Sequence, residues 1–141
     1  MISIRVRTRG PGLRPLQKKM IKLRKPLTRI GRMMVAETEK RFSTERDPQN
    51  FKWRRLSPEY RKWKKRKYPG RKILTRTGKL RRSIRFQTHT KSVSIGTKVE
   101  YGAYHQLGSP KTNLPRRSFL GLSKSNWASV HKILDRHLGV R

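Results

Sequence analysis

Apolar and polar residues alternate at the start of the chain. Ile2, Ile4 and Val6 are separated by one serine and one arginine. A period of two is typical of a strand that buries one of its faces. The pattern therefore predicts a strand at the N-terminus, over Ile2–Arg7, that ends at the glycines and proline of residues 10–12.

From Leu16 onward the apolar residues recur in steps of three and four, which places them on one face of a helix. We expect this helix to run from about Pro15 to about Ser43. Pro26 lies inside the pattern and has no backbone N–H to donate, so a kink or a break is expected near Lys25.

A shorter helix is predicted in the middle of the chain. Ser57 followed by Pro58 is typical of a helix start, and Pro69 with Gly70 is typical of an end. We therefore expect a helix from Pro58 to about Lys67. A further helical turn is expected after Gly78.

The remaining elements follow from two changes of period. Alternating runs predict a three-stranded meander at residues 84–88, 92–96 and 99–105. Ser125 is expected to cap a C-terminal helix that ends at Gly139. The predicted apolar face of that helix consists of Trp127, Val130, Ile133, Leu134 and Leu138.

Together these elements predict a single α+β domain over residues 1–141. Its antiparallel sheet is expected to have about four strands, with the long N-terminal helix and the C-terminal helix packed on one face. Apolar residues make up only 32% of the chain. A core this thin is a reason to expect support from neighbouring subunits.

Charge changes the picture most. The chain has 39 Lys and Arg against 7 Asp and Glu, a formal net charge of +32. Self-repulsion on this scale opposes folding, so we expect a polyanion or an acidic protein close by. Nucleic acid is the first candidate because phosphate contacts release counterions. Charge alone leaves open whether the protein reads nucleic acid, packages it or lines a passage for it.

The basic residues are concentrated in a segment at about 51–85, which holds 16 Lys or Arg and the single acid Glu59. Trp63 lies among these cations and is expected to pack mainly in the core. Few side chains suited to base edges accompany the cations, so sequence-blind contact is expected. A solvated face is the alternative. The residues predicted to face DNA or an acidic partner are Lys62, Lys64, Lys65, Arg66, Lys67, Arg71 and Lys72.

Candidate catalytic chemistry is sparse. The chain has no cysteine, and four of its seven acids fall between residues 37 and 47, in or just after the long helix. Its four histidines form no metal-binding motif, and its glycines form no phosphate loop. We therefore expect no catalytic residue, no metal and no cofactor. No apolar run approaches the roughly 20 residues that cross a bilayer, so no membrane association is expected.

Five pieces of the chain carry a family resemblance. They are FKWRRLSPEY (51–60), KILTRTGKLRRSI (72–84), IGT (95–97), YGAYHQLG (101–108) and LPRRSFLG (114–121). In order and spacing they resemble the phage virion morphogenesis family, the tail-completion proteins of Mu-like and related tailed phages. The resemblance covers about residues 30 to 138 and leaves the N-terminal strand outside.

The resemblance implies a non-enzymatic virion structural protein, assembled in the host cytoplasm and located at the neck or tail junction. Such a protein forms a ring, taken here as hexameric, that completes the tail and joins it to the head–tail connector. Genome DNA passes through the lumen of such a ring and is contacted without sequence specificity. Subunit contacts are expected at the meander edges and the loop 108–119, and the residues are Tyr101, Tyr104, His105, Gln106, Leu107, Pro115, Arg116 and Phe119.

Two other function classes remain open at this point. A basic RNA-binding protein of ribosomal type would explain the charge by RNA, with the resemblance accidental. A DNA-processing enzyme is disfavoured because carboxylates for metal ions are scarce. Ring formation without nucleic acid separates the first class from the virion protein, and metal-dependent cleavage of DNA would support the enzyme.

Overall fold

A computed structural model describes residues 2–7 and 22–139 of the chain. Within them, three strands form one antiparallel sheet in the order β1-β3-β2. In the central strand, Ile95 lies opposite Ile2 on one side and Phe86 on the other. The N-terminal strand and the hairpin are confirmed, and the strands are β1 (Ile2–Arg5), β2 (Arg85–Thr88) and β3 (Ser92–Gly96).

Five α-helices lie in the same described part of the chain, together with one turn of 3₁₀ helix at Pro110–Thr112. The α-helices are α1 (Arg24–Thr44), α2 (Pro58–Lys67), α3 (Lys79–Arg82), α4 (Tyr101–Leu107) and α5 (Lys124–Leu138). The α+β class and the short helices after Ser57 and Gly78 are therefore confirmed.

α1 begins where the sequence predicted a break. Lys22 and Leu23 form a turn, and the helix starts at Arg24. Pro26 thus lies in the first turn, where its missing N–H would have no partner within the helix. The predicted helical stretch from Pro15 to residue 21 lies outside the described residues.

The core forms between α1, the hairpin and the chain that returns before α5. Leu27, Ile30 and Met34 are buried on α1, which packs on β2, β3 and α5. Near the end of α1, Phe42 contacts the rings of Trp53 and Phe119, with centroids 5.6 Å and 5.4 Å away. These three aromatic rings join the helix, the basic segment and the returning chain into one core.

A glycine permits the closest contact between α1 and the sheet. A Cβ added to Gly31 would lie 2.4 Å from Cδ2 of Phe86 on β2. This distance is far inside van der Waals contact. The Phe86 ring therefore occupies the space that any other residue at position 31 would need.

The strand predicted at residues 99–105 is wrong, and it accounts for the difference between three strands and about four. This stretch forms α4 instead. Gly102 is buried in α4, and a Cβ there would lie 2.9 Å from Cγ2 of Thr97 and 3.0 Å from Cδ1 of Leu80. Tertiary packing around the glycine thus overrides its low helix propensity.

The C-terminal helix is confirmed, with two corrections. Its cap is Ser123, not Ser125, and the Ser123 side chain accepts a hydrogen bond from the N–H of Asn126. Its end at Gly139, with φ of 69°, agrees with the prediction. Val130 is buried, but Trp127 is 45% exposed and stacks on His131, so Trp127 does not belong to the buried face.

Candidate functional site

α2 carries the largest group of candidate functional residues. The helix is capped by Ser57, whose Oγ accepts a hydrogen bond from the N–H of Tyr60 at 3.4 Å. It ends before Gly70, which has a φ of 74°. The exposed cations predicted to face DNA or an acidic partner are Lys62, Lys65, Arg66, Lys67, Arg71 and Lys72.

Two of the predicted cations donate hydrogen bonds to backbone carbonyls of the protein. Lys64 is only 4% exposed, and its Nζ donates a hydrogen bond to the carbonyl of Lys72. Lys72 remains exposed, while its own Nζ donates to the carbonyl of Ser43 at the end of α1. The expected outward placement of Lys64 is therefore wrong. Its aliphatic stem allows it to enter the fold like an apolar residue.

The environment of Lys64 disfavours its charge. Burial lowers its pKa from the ordinary value, and the nearby cations Arg117 and Arg76 lower it further, while Glu45 acts in the opposite direction. A buried ammonium among like charges is costly. Lys64 therefore creates a region of positive potential just beneath the surface.

Aromatic rings hold the outer side of α2 in place. Trp63 is half-buried and lies 5.4 Å from Tyr60 and 5.8 Å from Tyr68, measured between ring centroids. The Nζ of Lys67 lies 5.7 Å from the Trp63 ring, and Arg76 stacks over Tyr68 at 5.9 Å. Cation–π contacts of this kind offset part of the repulsion between neighbouring cations.

The predicted subunit interface divides into exposed and internal residues. Tyr101, Tyr104 and Leu107 on α4 are 41%, 59% and 73% exposed. Arg116 is also exposed, and Pro115 is half-buried. Tyr101, Tyr104 and Leu107 thus place large apolar and aromatic side chains on the exposed side of α4.

Phe119 and Gln106 serve the fold from inside. Phe119 is fully buried against Phe42, so its side chain is part of the core and its predicted place on a subunit surface is wrong. Gln106 is half-buried, and its Oε1 accepts hydrogen bonds from the N–H groups of Phe119 and Leu120 at 3.0 Å each. The amide thereby joins α4 to the returning chain.

A cleft of about 450 Å³ is lined by members of both predicted groups. Lys64 from the basic segment lines it on one side, and Tyr101 and His105 from α4 line it on the other. The other cations predicted on α2 do not line this cleft. Its complete lining also contains Arg76, Lys79 and Arg117 but no carboxylate.

Arg117 is a functional candidate that the sequence analysis missed. It is 4% exposed, and its Nε and Nη2 donate to the carbonyls of Arg54 and Arg55 at 2.8 Å and 3.1 Å. Burial lowers its pKa, with a further contribution from Arg54. One arginine among 39 basic residues gave no sequence signal of this role.

Arg41 is a second buried arginine that the sequence did not reveal. It donates hydrogen bonds to the carbonyls of Phe119 and Gly121 and to Oδ1 of Asn126, at 2.8–2.9 Å. Burial lowers its pKa. These bonds join α1 to the chain that returns before α5 and to the first turn of α5. Arg41 therefore stabilises the position of that returning chain, which also carries Arg117.

His105 is the histidine with the most unusual environment. Its Nδ1 is buried and has no hydrogen-bond partner within the described residues. Burial lowers its pKa, and Arg117 lowers it further, which favours the neutral ring. In the part of the chain that the structure describes, no three potential metal ligands come together.

None of the helices in the described ranges is long and apolar enough to cross a membrane. Among the residues described, the candidate site consists of an exposed cationic helix, an apolar face on α4 and a cationic cleft between them. This arrangement is suited to binding other macromolecules.

Comparison with known proteins places the chain in a family. The model of the phage virion morphogenesis family matches residues 10–139. Among curated proteins, Mu-like prophage FluMu G protein 1 of Haemophilus influenzae is 33% identical over 112 residues, covering 78% of this chain and 75% of that protein. No solved structure matches the chain. From the extent of both matches, the chain belongs to the phage virion morphogenesis family.

Proposed function

We propose that this protein is a non-enzymatic component of the phage virion that completes the tail as a ring at its head-proximal end. The ring joins the tail to the head connector and lets genome DNA pass through its lumen. The observation that carries the proposal is the apolar face of α4 on a strongly cationic member of a virion morphogenesis family.

The α4 face supports self-association. Tyr101, Tyr104 and Leu107 follow one another at intervals of three residues, so they share one side of the helix. Exposed aromatic and aliphatic side chains of this kind are typical of interface cores. Within the described residues, β1 and β2 are the outer strands of the sheet, and such edges are suited to pairing with a neighbouring subunit.

The charge supports a position beside DNA. Seven carboxylates cannot neutralise 39 Lys and Arg. The exposed cations of α2 present a row of charge on one helix, suited to phosphate contacts without base recognition. In a ring, this helix would face the lumen or an acidic neighbouring ring.

Sedimentation velocity on nuclease-treated protein tests the ring directly. In about 0.5 M salt, where the Debye length is below about 5 Å, we expect a closed oligomer, and negative-stain images should show its symmetry. Leu107→Glu should shift the protein toward monomers. Phe51→Glu is the matched control because it places the same charge on another strongly exposed apolar residue, 71% exposed, that does not belong to α4.

Two outcomes would contradict the proposal. A protein that stays monomeric at high concentration, alone and with tail tubes, would exclude the ring. Assembly that requires RNA would favour the RNA-binding class instead. Antibody labelling of virions gives a further check, and label away from the neck would exclude the proposed position.

A further inference from the structure

The cleft between α2 and α4 combines charge with an apolar wall. Lys64, Arg76, Lys79 and Arg117 supply the cations of its lining, and no acid lies among them. Leu56, Leu74, Leu80, Leu114 and Pro115 line the same space. At about 450 Å³ the cleft is within the size range of ligand pockets.

The four cations differ in whether their hydrogen-bond donors are available to a ligand. Lys64 and Arg117 are buried and already donate hydrogen bonds to backbone carbonyls. They therefore act mainly through their positive potential, which is strong where water is scarce. Arg76 and Lys79 are exposed, so they are available for direct contact at the rim.

His105 belongs to the same wall. It lines the cleft, and its Nδ1 is a buried polar atom with no partner within the described ranges. Native proteins rarely leave such an atom unsatisfied. Because Nδ1 is buried, it does not face the open space of the cleft, and the case for a ligand rests on the cations and the apolar wall.

We propose that this cleft binds an acidic peptide segment of a partner protein, with a carboxylate near Arg76 and Lys79 and an aliphatic side chain among the leucines. The inference rests on the proposed function in one respect, since the partner is then a neighbouring virion protein. Its chemistry follows from complementarity to the cleft alone.

The lining favours a peptide over nucleic acid. A phosphate backbone is strongly hydrated and would be desolvated against Leu56, Leu74 and Leu114. The buried cations have donors already committed to carbonyls, so they cannot replace all of that hydration. A segment that carries glutamate beside leucine uses the charge and the apolar wall together. Nucleic acid is better served by the exposed cations of α2.

Fluorescence anisotropy with defined probes tests the proposal. The first probe is a short fluorescein-labelled peptide in which glutamate alternates with leucine. The second has serine in place of leucine, at the same charge and length. In about 0.5 M salt, which screens exposed charges, we expect the glutamate–leucine peptide to bind at least about tenfold more tightly. Equal binding of the two peptides would overturn the proposal.

Matched charge reversals locate the binding site. Lys79→Glu changes an exposed lysine of the cleft, and Lys62→Glu changes an exposed lysine of α2 outside it. We expect Lys79→Glu to weaken binding about tenfold and Lys62→Glu less than about twofold. Leu114→Ser, with folding checked by circular dichroism, should also weaken binding. Equal effects of the two lysine variants would exclude the cleft.

Competition experiments distinguish an acidic peptide from the other possible occupants of the cleft, nucleic acid and a second copy of this chain. A single-stranded oligonucleotide of equal charge should not displace the peptide, and displacement at equal concentration would assign the cleft to nucleic acid. Loss of peptide binding on self-assembly, with Lys79→Glu also unable to assemble, would assign it to a second copy of this chain. Because binding is measured apart from ring formation, an intact ring without peptide binding would reject this inference alone.

Discussion

α1 and α2 are both rich in lysine and arginine, yet they bury opposite kinds of side chain. The buried residues of α1 are mostly apolar, and Leu27, Ile30 and Phe42 are fully buried. α2 buries a single residue, Lys64. α1 therefore separates a core face from a charged face, whereas α2 has no apolar stripe with which to enter the core.

The difference shows how the protein divides its tasks. α1 is held by burial of apolar area, so its exposed cations contribute little to the fold. α2 is held by its serine cap, its aromatic contacts and one inward lysine, and the rest of its surface is free for binding. Substitutions on the two helices should therefore separate stability from binding.

The largest loss of stability is expected at the end of α1. Phe42→Ala removes a ring that contacts Trp53 and Phe119 and leaves a cavity. We expect the free energy of unfolding to fall by about 3–5 kcal/mol. Urea denaturation measures the loss. Phe51→Ala, at a phenylalanine that is 71% exposed, is the control and should change stability by less than about 0.5 kcal/mol. Equal losses would refute the assigned core.

A smaller loss is expected where α1 meets the sheet. Gly31→Ala improves helix propensity but places a methyl group against the Phe86 ring. We expect a net loss of about 1–3 kcal/mol from overpacking. Combining it with Phe86→Leu should recover part of the loss, measured as a double-mutant cycle. A stabilised Gly31→Ala variant would show that the helix can move away from the sheet.

On α2 we expect a substitution of a buried residue to leave stability unchanged or to raise it. Lys64→Met removes a buried charge, and the Lys72 carbonyl keeps hydrogen bonds from the N–H and Oγ1 of Thr75. At pH 7 we expect stability to be unchanged or raised by up to about 1 kcal/mol. A clear loss of stability would show that the ammonium holds the segment together.

The advantage of Lys64→Met should depend on pH. Burial lowers the pKa of Lys64 in the folded protein below its ordinary value of 10.5. At a pH between the folded and the unfolded pKa, the unfolded chain therefore binds more protons than the folded one. Wild-type stability then rises with pH through this window, and the advantage of the variant shrinks. Urea denaturation at pH 7 and about pH 10 measures the change. Lys65→Met, at an exposed neighbour, is the matched control.

The smallest effect on folding is expected from neutralising exposed cations. A quadruple glutamine variant of Lys62, Lys65, Arg66 and Lys67 should change stability by less than about 1 kcal/mol. Its DNA affinity should depend less on salt, with the slope reduced by up to about 0.9 for each lost phosphate contact. Two unrelated duplexes should respond alike.

The matched control removes the same charge from α1. Arg24, Lys25, Arg29 and Arg32 are exposed, and their replacement by glutamine alters net charge equally. We expect this variant to keep most of the wild-type salt slope. If both quadruple variants lose the same slope, DNA responds to total charge and α2 has no special position.

Much of the fold follows from local patterns. β1, the hairpin, α2 and the start of α1 have clear periodicity or turn residues, and the structure contains all of them. α4 was missed because alternation at residues 99–105 resembles a strand, while the packing of Gly102 against Leu80 involves residues distant in sequence. Such contacts cannot be inferred from a single segment.

The candidate site was less accessible to sequence analysis. The basic segment and the α4 residues were both singled out, but their meeting in one cleft depends on Arg117, which binds the carbonyls of Arg54 and Arg55. Composition cannot distinguish this arginine from those in solvent. The burial of the Lys64 side chain could not be predicted from the sequence either, because charged residues usually lie on the surface.

The pairing of β1 with β3 has a consequence for how the chain is made. Ile2 pairs with Ile95, so the sheet cannot close until the ribosome has synthesised more than 90 further residues. At about 5–20 residues per second this takes roughly 5–20 s. During this time β1 has no partner strand and its apolar face has no core to pack on, and the strong positive charge of the nascent chain opposes association with other unfolded copies.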